Sequence, residues 1–232
     1  MLEVIGVESI DDLYATLPPA LRIDELDLPE SFSELEIKQF FKQIVRENLI
    51  PDVIWRGAGA YAHDIPAIVS QITSKERFVT AYTPYQAELS QGVLQGIFEF
   101  QTLMSELTGL PVSNASMYDG ASAAAEACRM SIVRKKNRVI LAGELDPRLE
   151  EVIRSYDTAG DIDFEYCPAG PDKLVDLDAL KELAGDDIAA VFMMQINYRG
   201  LLEDVTAVSD WAHEQGAVSI VYSNPMSLGI LE

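Results

Sequence analysis

The chain has 232 residues, of which 48% are hydrophobic and 24% charged; this is enough apolar content for a buried core without disulfides and excludes a disordered chain. Asp and Glu number 38 against 17 Lys and Arg, a net charge of −21. Such a surface repels phosphate backbones and anionic lipid, so neither nucleic acid nor a membrane is expected as a partner.

No run of 18 apolar residues is present. The N-terminus, MLEVIGVESIDDL, carries acids where a secretory signal needs a basic start and an apolar stretch. The two cysteines, Cys128 and Cys167, are too few for a disulfide scaffold and read as reduced thiols of a cytoplasmic protein.

In chain order, residues 1–56 read as a helical arm. Leu17-Pro18-Pro19 and Leu28-Pro29 mark turns. Ser33 and Glu36 have capping-box spacing, and Ile37, Phe40, Phe41, Ile44 and Val45 then form one apolar stripe. That stripe requires a partner surface, on the chain's own domain or on another subunit.

Residues 57–232 read as the large domain. A loop-rich stretch to Gln86 contains one short helix near Pro66 to Ile72. A long helix follows, with Leu89, Val93, Ile97, Phe100, Met104 and Leu107 at helical spacing and Gly109 as its C-cap. Gly92 and Gly96 share a face of it, which predicts a close packing partner there.

After Gly109 helices and strands alternate. A helix is predicted from Gly120 to Val133, then the strand RVILAG, a helix from Arg148 to Tyr156, and the strand DIDFEYC. A helix at Asp178–Leu183, the strand IAAVFMMQ, a helix at Asp204–His213 and the strand AVSIVYS complete the series. This order predicts right-handed crossovers and a mostly parallel, doubly wound α/β sheet.

Common catalytic signatures are missing. Gly57-Ala58-Gly59 lacks the third glycine and the strand–helix context of a dinucleotide fingerprint. There is no P-loop and no G-x-S-x-G elbow. His63 and His213, 150 residues apart, have no metal-ligand spacing, and His213 reads as a surface residue. One segment stands out by composition. Thr80-Ala81-Tyr82-Thr83-Pro84-Tyr85-Gln86 gathers hydrogen-bonding side chains at the entry to the long helix, where they could line a polar pocket or simply form a turn.

Three strings in order, GAGAYAHDIPA at 57–67, TAYTPYQAELSQG at 80–92 and NASMYDGASAAAEA at 114–127, resemble the glycine cleavage system P-protein, and within that family its subunit 1. The likeness runs from IGVESIDDL to SNPMSLGIL. It implies the large-domain fold of pyridoxal-phosphate (PLP) aminotransferases (fold type I). It also implies a subunit of glycine dehydrogenase (decarboxylating), which decarboxylates glycine on PLP and passes the aminomethyl group to the lipoyl arm of H-protein.

PLP chemistry requires an anchoring lysine, an acid at the ring nitrogen and a phosphate cradle. No lysine occurs from Glu182 to Glu232, and Lys38, Lys42, Lys75, Lys135, Lys136 and Lys173 lie in polar contexts that read as solvated. Asn224 stands where the resemblance implies an aspartate. The family's phosphate position falls at Asp119, Gly120, Ala121 and Ser122, but Asp119 is itself an anion at the helix start.

The expectation is therefore a chain that binds no cofactor itself. PLP is held by subunit 2, while Tyr61, His63, Tyr82, Thr83, Tyr85 and Gln86 reach a shared catalytic site. Because chains of that family are nearly twice as long, the resemblance also implies a truncated or fragmentary subunit whose large domain lacks closing strands at its C-terminus. Two alternatives remain: a non-catalytic interaction module of the same fold, and an unrelated doubly wound enzyme.

Overall fold

A computed structural model of the chain describes residues 1–23, 25–55, 63–133 and 135–231. It divides into two compact units, Met1–Trp55 and Arg56–Glu232.

The first unit holds α1 (Leu2–Ile5), two short 3-10 turns at Asp11–Tyr14 and Pro19–Leu21, and α2 (Glu34–Arg46). The α2 start carries the capping box: the Ser33 amide donates to the Glu36 carboxylate at 2.8 Å, and the Glu36 amide donates to Ser33 Oγ at 3.4 Å. These bonds satisfy two helix-end donors, and donation from the Ser33 hydroxyl, at 2.6 Å, together with the Ser33 amide holds the Glu36 carboxyl below its usual range. The apolar stripe is present and remains in solvent. Phe40 and Phe41 are 51% and 57% exposed, with Phe32 stacked on Phe40 at 6.2 Å and Phe41 edge-on to it at 5.6 Å.

The second unit begins with α3 (Ala67–Thr73), the single turn α4 (Glu76–Val79) and the long α5 (Gln91–Thr108). Gly109 closes α5 in the left-handed region at φ +70°. A β-carbon added at Gly92 or Gly96 would have nothing within 4 Å. The expected close partner for that glycine face is therefore not supplied by the described residues of this chain.

The remainder alternates: α6 (Gly120–Ser131), β1 (Arg138–Ala142), α7 (Pro147–Ser155), β2 (Asp163–Cys167), α8 (Leu177–Glu182), β3 (Ile188–Met194), α9 (Val205–Glu214) and β4 (Val218–Tyr222). The strands form one parallel sheet in the order β2-β1-β3-β4. The mostly parallel sheet predicted from the alternation is thus the one observed.

The central strand β3 is buried on both faces, as the unbroken apolar run IAAVFMM requires. One face, with Ile188, Val191 and Met193, packs with Leu180 of α8 and Val208, Trp211 and Ala212 of α9. The other, with Ala189, Ala190 and Phe192, packs with Ala124 and Cys128 of α6 and Leu149 and Ile153 of α7. Strict alternation would put Ile188 with Ala190. The β1–β3 register instead skips Ala189, since Arg138 faces Ile188 and Val139 faces Ala190. This bulge resets the phase so that Ile188 joins the α8/α9 side.

Polar partners pin the sheet's N-terminal edge. Arg138 donates to Glu165 on β2 at 2.5 Å and to Asp187, before β3, at 2.7 Å. Lys136, expected to be solvated, instead donates to the Gly216 carbonyl at 2.6 Å and so ties the entry of β1 to the end of α9. Both cysteines are fully buried and unbridged. Burial pushes the Cys128 thiol up to about 12 and, with the Asp176 and Glu165 charges adding to it, the Cys167 thiol up to about 11.

These thiols are therefore protonated throughout the neutral range and out of reach. Iodoacetamide is expected to leave both unmodified in the native chain and to label both after denaturation. Rapid labelling of Cys128 under native conditions, read by mass spectrometry, would contradict the packing of α6 on β3.

Candidate functional site

In an open parallel sheet, ligands bind beyond the carboxyl ends of the strands. Here that edge collects the last residues of β1, β3 and β4 and the start of α6. Gln195, just past β3, is buried, and its carbonyl accepts from Ser223 Oγ at 2.6 Å and Ser227 Oγ at 2.8 Å. Glu203 is also buried. Its carboxylate accepts from the Val175 amide and from Asn197 Nδ2, each at 2.8 Å, so its charge is met by donors from two loops. Asn224 is exposed, and its side chain accepts from the Met226 amide at 3.1 Å, which makes it a turn-former.

The α6 start is built as the sequence suggests. Asp119 is the N-cap: one carboxylate oxygen accepts from the Ser122 amide at 2.7 Å and from Ser122 Oγ at 2.6 Å. The Ser122 hydroxyl and amide hold its carboxyl below the usual range. Gly120 has a reason to be glycine that composition did not reveal. A β-carbon there would lie 2.5 Å from the hydroxyl of Tyr222, the last residue of β4. Tyr222 was not among the predicted site residues. Its only signal in the sequence is a phenol at the carboxyl end of a predicted strand.

Of the predicted catalytic group, Tyr61 lies outside the described residues. His63 is exposed and outside any helix or strand. Residues 82–86 form a tight turn: the Gln86 amide donates to the Thr83 carbonyl at 3.0 Å, and Thr83 sits in the left-handed region at φ +46°, uncommon for a β-branched residue. This turn presents Tyr82 and Tyr85 outward, 83% and 67% exposed, with Gln86 also exposed. Among the described residues neither phenol has a hydrogen-bond partner. The turn thus brings Tyr82, Thr83, Tyr85 and Gln86 together, while no hydrogen bond joins them to residues 119–122.

A family profile described as "Glycine cleavage system P-protein" matches residues 1–232. The chain belongs to the glycine cleavage system P-protein family. It is 40% identical over 234 residues to a protein of Protochlamydia amoebophila (strain UWE25) named "Probable glycine dehydrogenase (decarboxylating) subunit 1", covering 100% of this chain and 52% of that one. It superposes on a crystal structure of glycine decarboxylase (P-protein) in inhibitor-bound form with a TM-score of 0.86 at 34% identity, covering 100% of this chain and 52% of the other. A NifS-like protein matches at a TM-score of 0.53 and 14% identity, over 65% of this chain and 42% of its own, and shares the fold alone. The fold is the large domain of the PLP fold type I group, as the motifs implied. The chain spans about half the length of the P-protein relatives it matches. No helix among the described residues is long and apolar enough to cross a membrane.

The Asp119 cap sets a pH dependence with a definite sign. Its folded pKa lies below the unfolded value, so its contribution is complete above the unfolded carboxylate range and is lost as pH falls through the folded pKa. Asp119→Ala is expected to lower Tm at neutral pH, and the gap between variant and parent should close on acidification. A gap that is constant or widens at low pH, by calorimetry, would contradict this role.

Proposed function

We propose that this chain is part of subunit 1 of a glycine dehydrogenase (decarboxylating), working in the cytoplasm with a PLP-bearing subunit 2, with glycine as substrate and with lipoylated H-protein as acceptor of the aminomethyl group. The observation that carries the reading is the match over the whole chain to a solved glycine decarboxylase at 34% identity and a TM-score of 0.86. Asn224 stands in a surface turn with its side chain committed to the Met226 amide, which supports a partner as the source of the cofactor.

Its own contribution on this reading is surface and shape. Among the described residues none before Ser122 is buried, yet this half carries Phe40, Phe41, Trp55, Tyr82, Tyr85 and Phe98 in exposed positions. Apolar exposure on this scale marks an interaction surface. The occupant we assign is subunit 2, since the relatives are named as one subunit of an enzyme. Along α2 the stripe is flanked by Lys38, Lys42 and Arg46, which line a groove of about 520 Å³ with Ile37, Phe41 and Val45. This gives an acidic chain a locally basic, apolar face.

The turn at Tyr82–Gln86 then has a role at a shared site. Loss of CO2 from glycine leaves a carbon that must be kept from water. Two outward phenols on a tight turn can orient a substrate carboxylate or the lipoyl sulfur, and their rings exclude solvent once a partner closes over them. His63, and Tyr61 outside the described residues, belong to the same group.

The native enzyme containing this chain, subunit 2 and H-protein should exchange the glycine carboxyl carbon with labelled bicarbonate. Tyr85→Phe should reduce that exchange by about 10- to 1000-fold, the range for one preorganised donor, with Tm nearly unchanged because the ring is kept. No exchange in the parent complex would overturn the assignment in favour of a pairing module without turnover. Normal exchange in Tyr85→Phe would remove that hydroxyl from the site.

A further inference from the structure

PLP fold type I enzymes are expected to hold the cofactor phosphate at a helix start, which in this chain is residues 119–122. Anions bind such a turn through free backbone amides, the helix dipole and small residues that permit close approach. Each condition can be tested against the residues present.

Two of the donors are engaged. The Ser122 amide and Ser122 Oγ both serve the Asp119 carboxylate, at 2.7 and 2.6 Å. The space beside the small residue is taken. A β-carbon on Gly120 would meet the Tyr222 hydroxyl at 2.5 Å and two Tyr222 ring carbons at 3.2 Å, so the phenol stands against the first residue of α6. Tyr222 is held there from below, its ring 6.4 Å from that of the fully buried Phe192, and both belong to the core under α6. Charge adds to the exclusion, because the Asp119 carboxylate is itself an anion at this helix start. Burial, with the Asp119 and Asp146 charges, pushes the Tyr222 phenol above its ordinary range and keeps it neutral.

The residues present therefore do not fit a phosphate. We infer that the chain fills its own cradle: the Asp119 carboxylate takes two of the donors, the Tyr222 phenol takes the space, and both PLP and inorganic phosphate are shut out of this half of the enzyme. Gly120 leaves room for a tyrosine where the family's fold would admit a phosphate. This deepens the reading that the cofactor belongs to the partner subunit, but it concerns only residues of this chain.

The test uses the purified 232-residue chain and two probes, inorganic phosphate and PLP, each titrated by calorimetry. The parent should bind neither saturably below ~10 mM. The double variant Asp119→Ser, Tyr222→Ala frees the amide and the space, and should bind inorganic phosphate at least ~10-fold more tightly than the parent. Saturable binding by the parent that shifts the Gly120 amide resonance would overturn the inference, and so would a folded double variant with no gain.

A second measurement stands if that variant does not fold. Gly120→Ala should lower Tm by ~3–10 °C through the clash with the phenol, and adding Tyr222→Phe should recover at least half of the loss. An unchanged Tm in Gly120→Ala, or no recovery, would show that Tyr222 is not seated on α6 and would overturn the inference. Failure of glycine–bicarbonate exchange in the parent complex bears on the functional reading alone and leaves these results standing.

Discussion

The packed part of the second unit, from α6 to β4, depends on burying β3 from both sides. A parallel strand with no polar face can exist only between two helical layers, so Ile188–Met194 dictates α8 and α9 on one side and α6 and α7 on the other. The bulge at Ala189 shows how firmly this holds, because the register slips by one residue and the side chains still sort between two filled layers. The placement of chemistry follows. Packing α6 on β4 brings Gly120, the first residue of α6, against Tyr222 at the sheet's carboxyl edge.

The same constraint leaves the first half of the chain without a core. Its apolar residues are as numerous as those of a folded domain, yet none of those described before Ser122 is buried. Helices α2 and α5 carry regular apolar periodicity, and at Gly92 and Gly96 of α5 no described residue comes within 4 Å of where a β-carbon would stand. Such residues are stable in water only if another surface covers them. The division of labour we propose, with the core in the second half and pairing in the first, is the physical content of acting as one subunit of a shared enzyme.

Periodicity made most of the architecture legible. The strands at 138–143, 161–167, 188–195 and 217–223 and the helices between them were predicted to within a few residues, because a two-sided apolar run and an amphipathic helix each carry a distinct period. The capping box at Ser33 and Glu36 and the cap at Asp119 were equally visible, since they depend on local spacing. The single turn at Glu76–Val79 and the 3-10 turns left too little periodic signal to detect. The site was only half legible. Motif strings pointed to residues 82–86 and 119–122, but the seating of Tyr222 on Gly120 joins residues a hundred positions apart. Only the folded sheet reveals it. Lys136 is a similar case, its context polar but its ammonium committed to the end of α9.

The central claim is that the first half of this chain is a surface awaiting subunit 2. Amide hydrogen exchange of the chain, alone and in complex with subunit 2, tests it most directly, because exchange reports local opening segment by segment. The account predicts that α2 and α5 exchange rapidly alone and become strongly protected in the complex, while β1 and β3 are slow in both. Complex formation that leaves α2 and α5 as fast as in the free chain would contradict it.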